Sequence, residues 1–301
     1  MLYLLQQVLN GLHSGALYAL LAFGYALTNG VLHRTNLAYG GLFAFSGQTM
    51  ILVSVFGWNV LWLTLPATVA LGIAVAIAYT ALVSTILASG VFQPLANASP
   101  NAIVTATLGV LLALTEFSRI AADTHDFWLP PMLAIPVVFA RSGGFEVTMT
   151  VIQLANCLIA AAALGFGGLV LARSGLGRTW RAVCDDPHAA ALCGIDTRTV
   201  FRRSVVAGGL YAALAGVMAG LYYGNIGFGA GLIYGLKILF VTAVGGYLSP
   251  FRAALGAAAF GLGESLWAGY FPTEWRDAWM LALLAAMLVL VGAGRDTVKA
   301  A

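Results

Sequence analysis

The sequence predicts an all-α fold, a polytopic transmembrane helical bundle, and three observations carry that prediction. Hydrophobic residues fill 61% of the 301 positions, whereas charged residues fill only 8%, against about 25% in ordinary soluble domains. Nine apolar runs recur along the chain, and a membrane-spanning helix needs about 20 such residues. Short connectors rich in Pro, Gly and charge separate them. A soluble globule could not cover its surface with so few charges, but lipid accepts an apolar exterior. The net charge of +3 is modest, with no basic stripe that would suit nucleic acid.

The runs cover 4–30, 36–56, 58–88, 101–121, 148–172, 201–224, 231–248, 252–271 and 275–293. Met1 to Asn10 carry no Lys or Arg, so the first run reads as a retained helix rather than a signal peptide. The 58–88 run exceeds the bilayer and is expected to tilt or project. Pro-containing connectors follow at 93–100 and 123–144. The 231–248 run is short, glycine-rich and holds Lys237. It reads as a broken or re-entrant segment as readily as a full span, so eight and nine spans both stay open. Ser249-Pro250 and Pro272 mark the last connectors. Trp58, Trp62, Trp128, Trp267 and Trp275 stand near run ends, where indoles anchor helices at the membrane interface. The 36 glycines allow close helix approach.

Basic residues set the expected orientation. Arg173, Arg178, Arg181, Arg198, Arg202 and Arg203 cluster after the fifth run, which places that stretch in the cytoplasm. Counting back puts the N-terminus and the 123–147 loop outside. Nine spans would also bring Arg295 and Lys299 inside. Gly15–Ala22 and Gly208–Ala215 agree at six of eight positions, including Tyr18 against Tyr211. An internal repeat and the chance similarity of Gly-Ala-Leu-rich segments both account for this.

Charges within apolar runs come next. Burying one costs about 2.5–3.5 kcal/mol on insertion scales, so each needs a partner or a cavity. Lys237 and Glu264 are expected to pair, either lining the path of a zwitterionic solute or locking two helices. Glu116 is expected to bridge to Arg119 one turn away. Asn36, Tyr39 and Gly40 open the second run. They form either an unwound turn offering N–H groups to a carboxylate or a glycine bend in a packed helix.

The longest polar connector is GLGRTWRAVCDDPHAAALCGIDTRTVF, from Gly175 to Phe201. Asp185, Asp186 and Pro187 can start a helical turn, and Gly194 can end it in the left-handed conformation. A short helix between Thr179 and Gly194 would be a rigid knob with Ala189, Ala190 and Gly194 as its small docking surface. The plainer alternative is a basic loop that only sets topology.

Several functions lack their chemistry. Cys157, Cys184 and Cys193 are an odd number without metal-ligand or disulfide spacing. No P-loop, HExxH or GxSxG motif occurs. The sequence therefore offers no catalytic residues, no metal site and no nucleotide site.

GRTWRAVCDDPHAAALCGID, together with Asn10-Gly-Leu-His-Ser-Gly-Ala-Leu-Tyr-Ala-Leu, Leu236-Lys237 to Gly245-Gly246, Gly263-Glu264-Ser265-Leu266 and Thr273-Glu-Trp-Arg-Asp277, resembles the permeases of branched-chain amino acid ABC importers, the LivH-type family. The resemblance spans nearly the whole chain in the family's order. It implies one permease domain over 1–301, with a cytoplasmic coupling loop at 173–200. Gly177, Arg178, Arg181, Ala182, Asp186, Ala190, Gly194 and Ile195 match the loop pattern. It also implies four further partners: a second related permease, two cytoplasmic ABC ATPases that use the ATP, and an extracytoplasmic solute-binding protein. The setting implied is a bacterial inner membrane. Asn36, Tyr39, Gly40, Lys237 and Glu264 are the candidates for the substrate path.

Three departures stand out. The family's early N-F-A-H-G-[ED] is Asn36-Leu-Ala-Tyr39-Gly40-Gly41 here. Basic residues are missing from 93–98, and Gly292-Ala-Gly-Arg replaces a C-terminal Pro-x-Gly pattern. The solute thus stays open among branched-chain or related amino acids, urea and short amides. An ion-coupled secondary transporter is the rival class, and it would need Glu116 or Glu264 to bind H⁺ or Na⁺.

Overall fold

The computed structural model describes residues 2–95, 99–142, 144–246 and 249–299. Its helices are α1 (Leu2–Leu32), α2 (Ala38–Asn59), α3 (Leu65–Leu87), the three-residue α4 (Gln93–Leu95), α5 (Pro100–Ala121), α6 (Val151–Arg173), α7 (Gly175–Asp185), α8 (Pro187–Leu192), α9 (Thr197–Tyr223), α10 (Ala230–Gly245), α11 (Pro250–Tyr270) and α12 (Arg276–Lys299). A π-turn at Ala88–Phe92 continues α3 into α4. Residues 96–98 of the departure at 93–98, and Tyr247 and Leu248 of the 231–248 run, lie outside the described residues, as do the side chains of Arg295 and Lys299.

Among the described residues, six helices are long and apolar enough to cross a membrane: α1, α2, α3 with its extension to Leu95, α5, α6 and α9. The remaining three runs form helices of a different character. At 16 residues, α10 measures about 24 Å, short of a hydrocarbon core of about 30 Å. The turn before it folds back into the protein, with Gln48 Nε2 donating to Ile226 O at 3.3 Å and Leu129 N donating to Gly224 O at 2.9 Å. This is the short segment that glycine and Lys237 suggested. Helices α11 and α12 carry Arg252, Glu264, Arg276 and Asp277 among their apolar residues.

One local expectation fails. The 123–147 connector and the start of the run at 148 are not simply loop and helix. Pro136–Ser142 (β1) and Phe145–Thr150 (β2) pair as an antiparallel hairpin with an irregularity between Val138 and Ala140. Alternation places Val147 and Met149 inside, and Gln6 completes the edge. Its side chain accepts from Thr148 N at 2.8 Å and donates to Thr148 O at 2.9 Å. Thr150 then caps α6 in a reciprocal capping box with Gln153.

Helix α1 is the axis of the bundle. Its apolar window is 94% buried, against 22% for α5 and α6, so α5 and α6 turn most of their surface outward, as lipid-facing helices do. Leu20, Ala22, Phe23 and Ala26 on α1 are completely enclosed. Without a hydrophobic drive between helices in lipid, close contact relies on small residues. A Cβ on Gly47 of α2 would stand 2.7 Å from Gly216 O of α9. A Cβ on Gly40 would collide with the carbonyl oxygen of Gly231 and the Cα of Gly235 on α10.

Buried polar groups stitch the bundle where apolar contact cannot. His13 of α1 lies 3.1 Å from Asn156 Nδ2 of α6, which also donates to Met218 O of α9 at 3.2 Å. The two tyrosines of the Gly15–Ala22 and Gly208–Ala215 match have different partners. Tyr18 joins a charged cluster with Glu264, whereas the Tyr211 hydroxyl donates to Ala163 O of α6 at 2.8 Å.

Candidate functional site: the α7–α8 knob and the buried ionic cluster

The connector between α6 and α9 forms two helices rather than one. Ser174 caps α7 by accepting from Gly177 N at 3.2 Å. Gly177 is glycine for a steric reason, since a Cβ there would strike Leu171 O at the end of α6. Trp180 roots α7 in the bundle. Its indole Nε1 donates to Leu27 O of α1 at 3.1 Å, and its ring lies against Gly30. Val183 and Cys184 complete this buried face. Burial, and then the charge of Asp185, push the Cys184 thiol up to about 12.

Asp186 ends α7 and starts α8. Its Oδ1 accepts from Ala189 N at 3.0 Å and from His188 N at 2.8 Å, and these bonds hold its carboxyl below the usual range. Pro187 fills the first position of α8. Gly194 closes it at φ +83°, with Gly194 N donating to Ala191 O at 3.0 Å and Ile195 N to Ala190 O at 3.1 Å. Asp196 caps α9. Its hydrogen bonds from the Thr199 hydroxyl, then from Thr199 N and Arg198 N, lower its pKa.

Two expected surface roles change. Ala190 was expected on the docking surface, but it is buried in the cluster that holds Trp180 and Val183, with Ile195 and Ala182 at its margin. The helix has six residues, and its second alanine turns toward the bundle. Arg181 was free to reach a partner or the loop's own carbonyls. Instead, its Nη1 donates to Leu171 O of α6 at 2.6 Å, where a cation suits the C-terminal end of that helix. Arg178 is exposed. The feature that sequence reasoning missed is Leu192, 80% exposed at the tip of α8. A lone leucine after three alanines and before Cys193-Gly194 was the available signal.

The second candidate region is ionic. Lys237 Nζ of α10 donates to Glu264 Oε1 of α11 at 2.7 Å and to Asp277 Oδ1 of α12 at 2.9 Å. The Tyr18 hydroxyl of α1 donates to Glu264 Oε2 at 2.6 Å. Arg276 Nε lies 3.3 Å from Glu264 and 3.4 Å from Asp277. Two cations and two carboxylates make a neutral group joining four helices. The expected Lys237–Glu264 pair is present, enlarged by Arg276 and Asp277 at the edge of the last apolar run. Both side chains are nearly enclosed, at 4% and 9% exposure, and each meets opposite charge. The network links α1, α10, α11 and α12. Glu116 and Arg119 also pair, at 2.6 Å on the exposed side of α5.

Asn36, Tyr39 and Gly40 sit together at the start of α2. Asn36 N donates to the Tyr25 hydroxyl at 3.2 Å, while Asn36 Oδ1 and the Tyr39 hydroxyl are buried without a protein partner. Asn36 stands in the turn before α2, whereas Tyr39 and Gly40 lie in the regular helix that begins at Ala38. Gly40 marks the contact with α10. Gly40 packs against Gly231 and Gly235 of α10, the helix that carries Lys237. Among the described residues, no three His, Cys, Asp or Glu side chains gather as metal ligands.

Known proteins resemble this chain along nearly its whole length. Residues 7–292 match the family model described as branched-chain amino acid transport system / permease component. The chain is 28% identical over 297 residues to the high-affinity branched-chain amino acid transport system permease protein LivH of Escherichia coli (strain K12), covering 97% of this chain and 95% of that protein. It is 27% identical over 297 residues to LivH of Salmonella typhimurium, with the same coverage. It is 26% identical over 289 residues to the permease protein BraD of Pseudomonas aeruginosa, covering 95% and 93%. No solved structure gives a significant match. With nearly its whole length matched, the chain belongs to the branched-chain amino acid transport system permease family.

Proposed function

We propose that this chain is the membrane permease subunit of an ATP-binding-cassette importer for branched-chain or related amino acids. It works with a second related permease, two cytoplasmic ATPases and an extracytoplasmic solute-binding protein. The chain binds no cofactor, and ATP is used by its partners. It is a multi-pass protein of a bacterial inner membrane with eight or nine crossings, its N-terminus outside and the 173–200 loop in the cytoplasm. Its role is conduction rather than catalysis.

The observation that carries the reading is the construction of α7 and α8. Trp180 and Arg181 root the knob on α1 and α6, so a push on α8 reaches the bundle through packed side chains and direct hydrogen bonds. Asp186 and Gly194 give α8 a fixed shape, and Leu192 offers an apolar contact at its tip. The lock around Lys237 ties α10, α11 and α12 to α1, so those helices move together when access switches.

Leu192→Arg tests this role. The exposed site tolerates the change, so the variant should insert and unfold like the wild type. Its ATPase should be lost during purification from detergent. Full retention of the ATPase by Leu192→Arg and by Leu192→Trp would remove α8 from the interface.

A further inference from the structure

A cavity of about 260 Å³ lies between α6, α7 and α9. Phe166, Val170, Leu171, Leu176 and Ala207 give it an apolar wall, and Arg203 stands on its rim. A second cavity of about 280 Å³ shares Arg203 and Ala207 and adds Arg202. The two hollows thus flank one basic turn of α9. Both arginines are exposed, and among the described residues no carboxylate lies within 4.0 Å of either. The location explains the pairing of chemistries. Helix α6 ends and α9 begins here, and α7 packs against both with an apolar side inward and Arg178 outward.

Unpaired guanidinium groups beside an apolar slot are complementary to a molecule with a phosphate at one end and hydrocarbon at the other. A soluble phosphate would use the arginines and leave the slot empty. A neutral lipid would use the slot and leave the arginines without a counter-charge. We propose that this site seats an anionic phospholipid, its phosphate on Arg202 and Arg203 and the upper part of one acyl chain between α6 and α9. The lipid would then form part of the wall against which α7 rests. The placement follows the proposed orientation of the 173–200 loop, but binding itself is a property of this chain alone.

The test is native mass spectrometry of the purified chain, offered equal amounts of phosphatidylglycerol and phosphatidylcholine in mixed micelles. The wild type is expected to retain one phosphatidylglycerol preferentially. Each removed arginine should weaken that retention about five-fold, so Arg202→Ala/Arg203→Ala should bind the two lipids alike. Arg173→Ala, at the end of α6, should retain the preference. Ala207→Phe should fill the slot and lose the lipid with both arginines in place. Inorganic phosphate should not compete. Equal retention of both lipids by the wild type overturns the proposal, and so does an undiminished preference in the double variant. Competition by inorganic phosphate, or unchanged binding by Ala207→Phe, shows that no chain is seated and overturns it too. If the double variant keeps its lipid and loses the ATPase instead, the arginines belong to the protein interface. Conversely, a seated lipid on a chain that never recruits an ATPase would overturn the transport reading and leave this one standing.

Discussion

At the scale of single residues, position is decided by what a side chain cannot avoid. Lys237 has to meet acid inside the membrane, and it meets two carboxylates. That second partner changes how variants should behave. Glu264→Gln leaves Lys237 with Asp277 and still accepts from Tyr18, whereas Lys237→Met leaves Glu264 and Asp277 to share Arg276. Lys237→Met should therefore be the more damaging, by about 3–5 kcal/mol if the loss matches other broken buried pairs. The Lys237→Met/Glu264→Gln double variant should be more stable than the sum of the singles implies. Thermal unfolding in detergent measures all three, and strictly additive losses would mean that the cluster is not one unit. Gly194 makes a similar point. A Cβ there meets nothing within 4 Å, so its constraint is backbone conformation alone. Gly194→Asn, which tolerates the left-handed region, should keep the ATPase bound. Gly194→Val should cost about 1–2 kcal/mol locally and release it. If co-purification shows equal loss for both, a steric contact with the partner is what needs glycine.

At the scale of elements, the sequence was legible where one physical rule acted alone. The long apolar runs, the Asp186–Pro187 helix start and the Gly194 stop all follow from rules local to the chain. The connector 173–200 was legible as a knob but not in detail. Nothing in the sequence says that Ala190 faces inward, because that depends on how α8 leans on Trp180 and Val183. The hairpin of β1 and β2 was hidden for a related reason: it is stabilised by Gln6, 142 residues away from Thr148. The ionic cluster was half legible. Lys237 and Glu264 stood out as charges in apolar runs, whereas Arg276 and Asp277 sat at a run's edge, where charge is ordinary. For Asn36, Tyr39 and Gly40, local chemistry suggested an anion-binding turn, but the contact of Gly40 with Gly231 and Gly235 favours a tightly packed crossing.

At the scale of the molecule, the account requires α7 and α8 to face the cytoplasm, and the chain carries its own reporter. Cys193 is exposed at the end of α8. Cys184 is buried, and its raised pKa keeps it a thiol. A membrane-impermeant maleimide should label Cys193 in inside-out vesicles and spare it in right-side-out ones, with Cys193→Ser as the control. Labelling from the periplasmic side would reverse the proposed orientation.

The central claim is that this bundle conducts but does not energise. Concentrative uptake of leucine into proteoliposomes measures it most directly. The permease pair reconstituted with its ATPases, internal ATP and the external binding protein should accumulate leucine. The same membranes without ATPases, under an imposed H⁺ or Na⁺ gradient, should accumulate none. Gradient-driven accumulation by this chain alone would contradict the account and make Glu264 or Glu116 an ion-coupling residue.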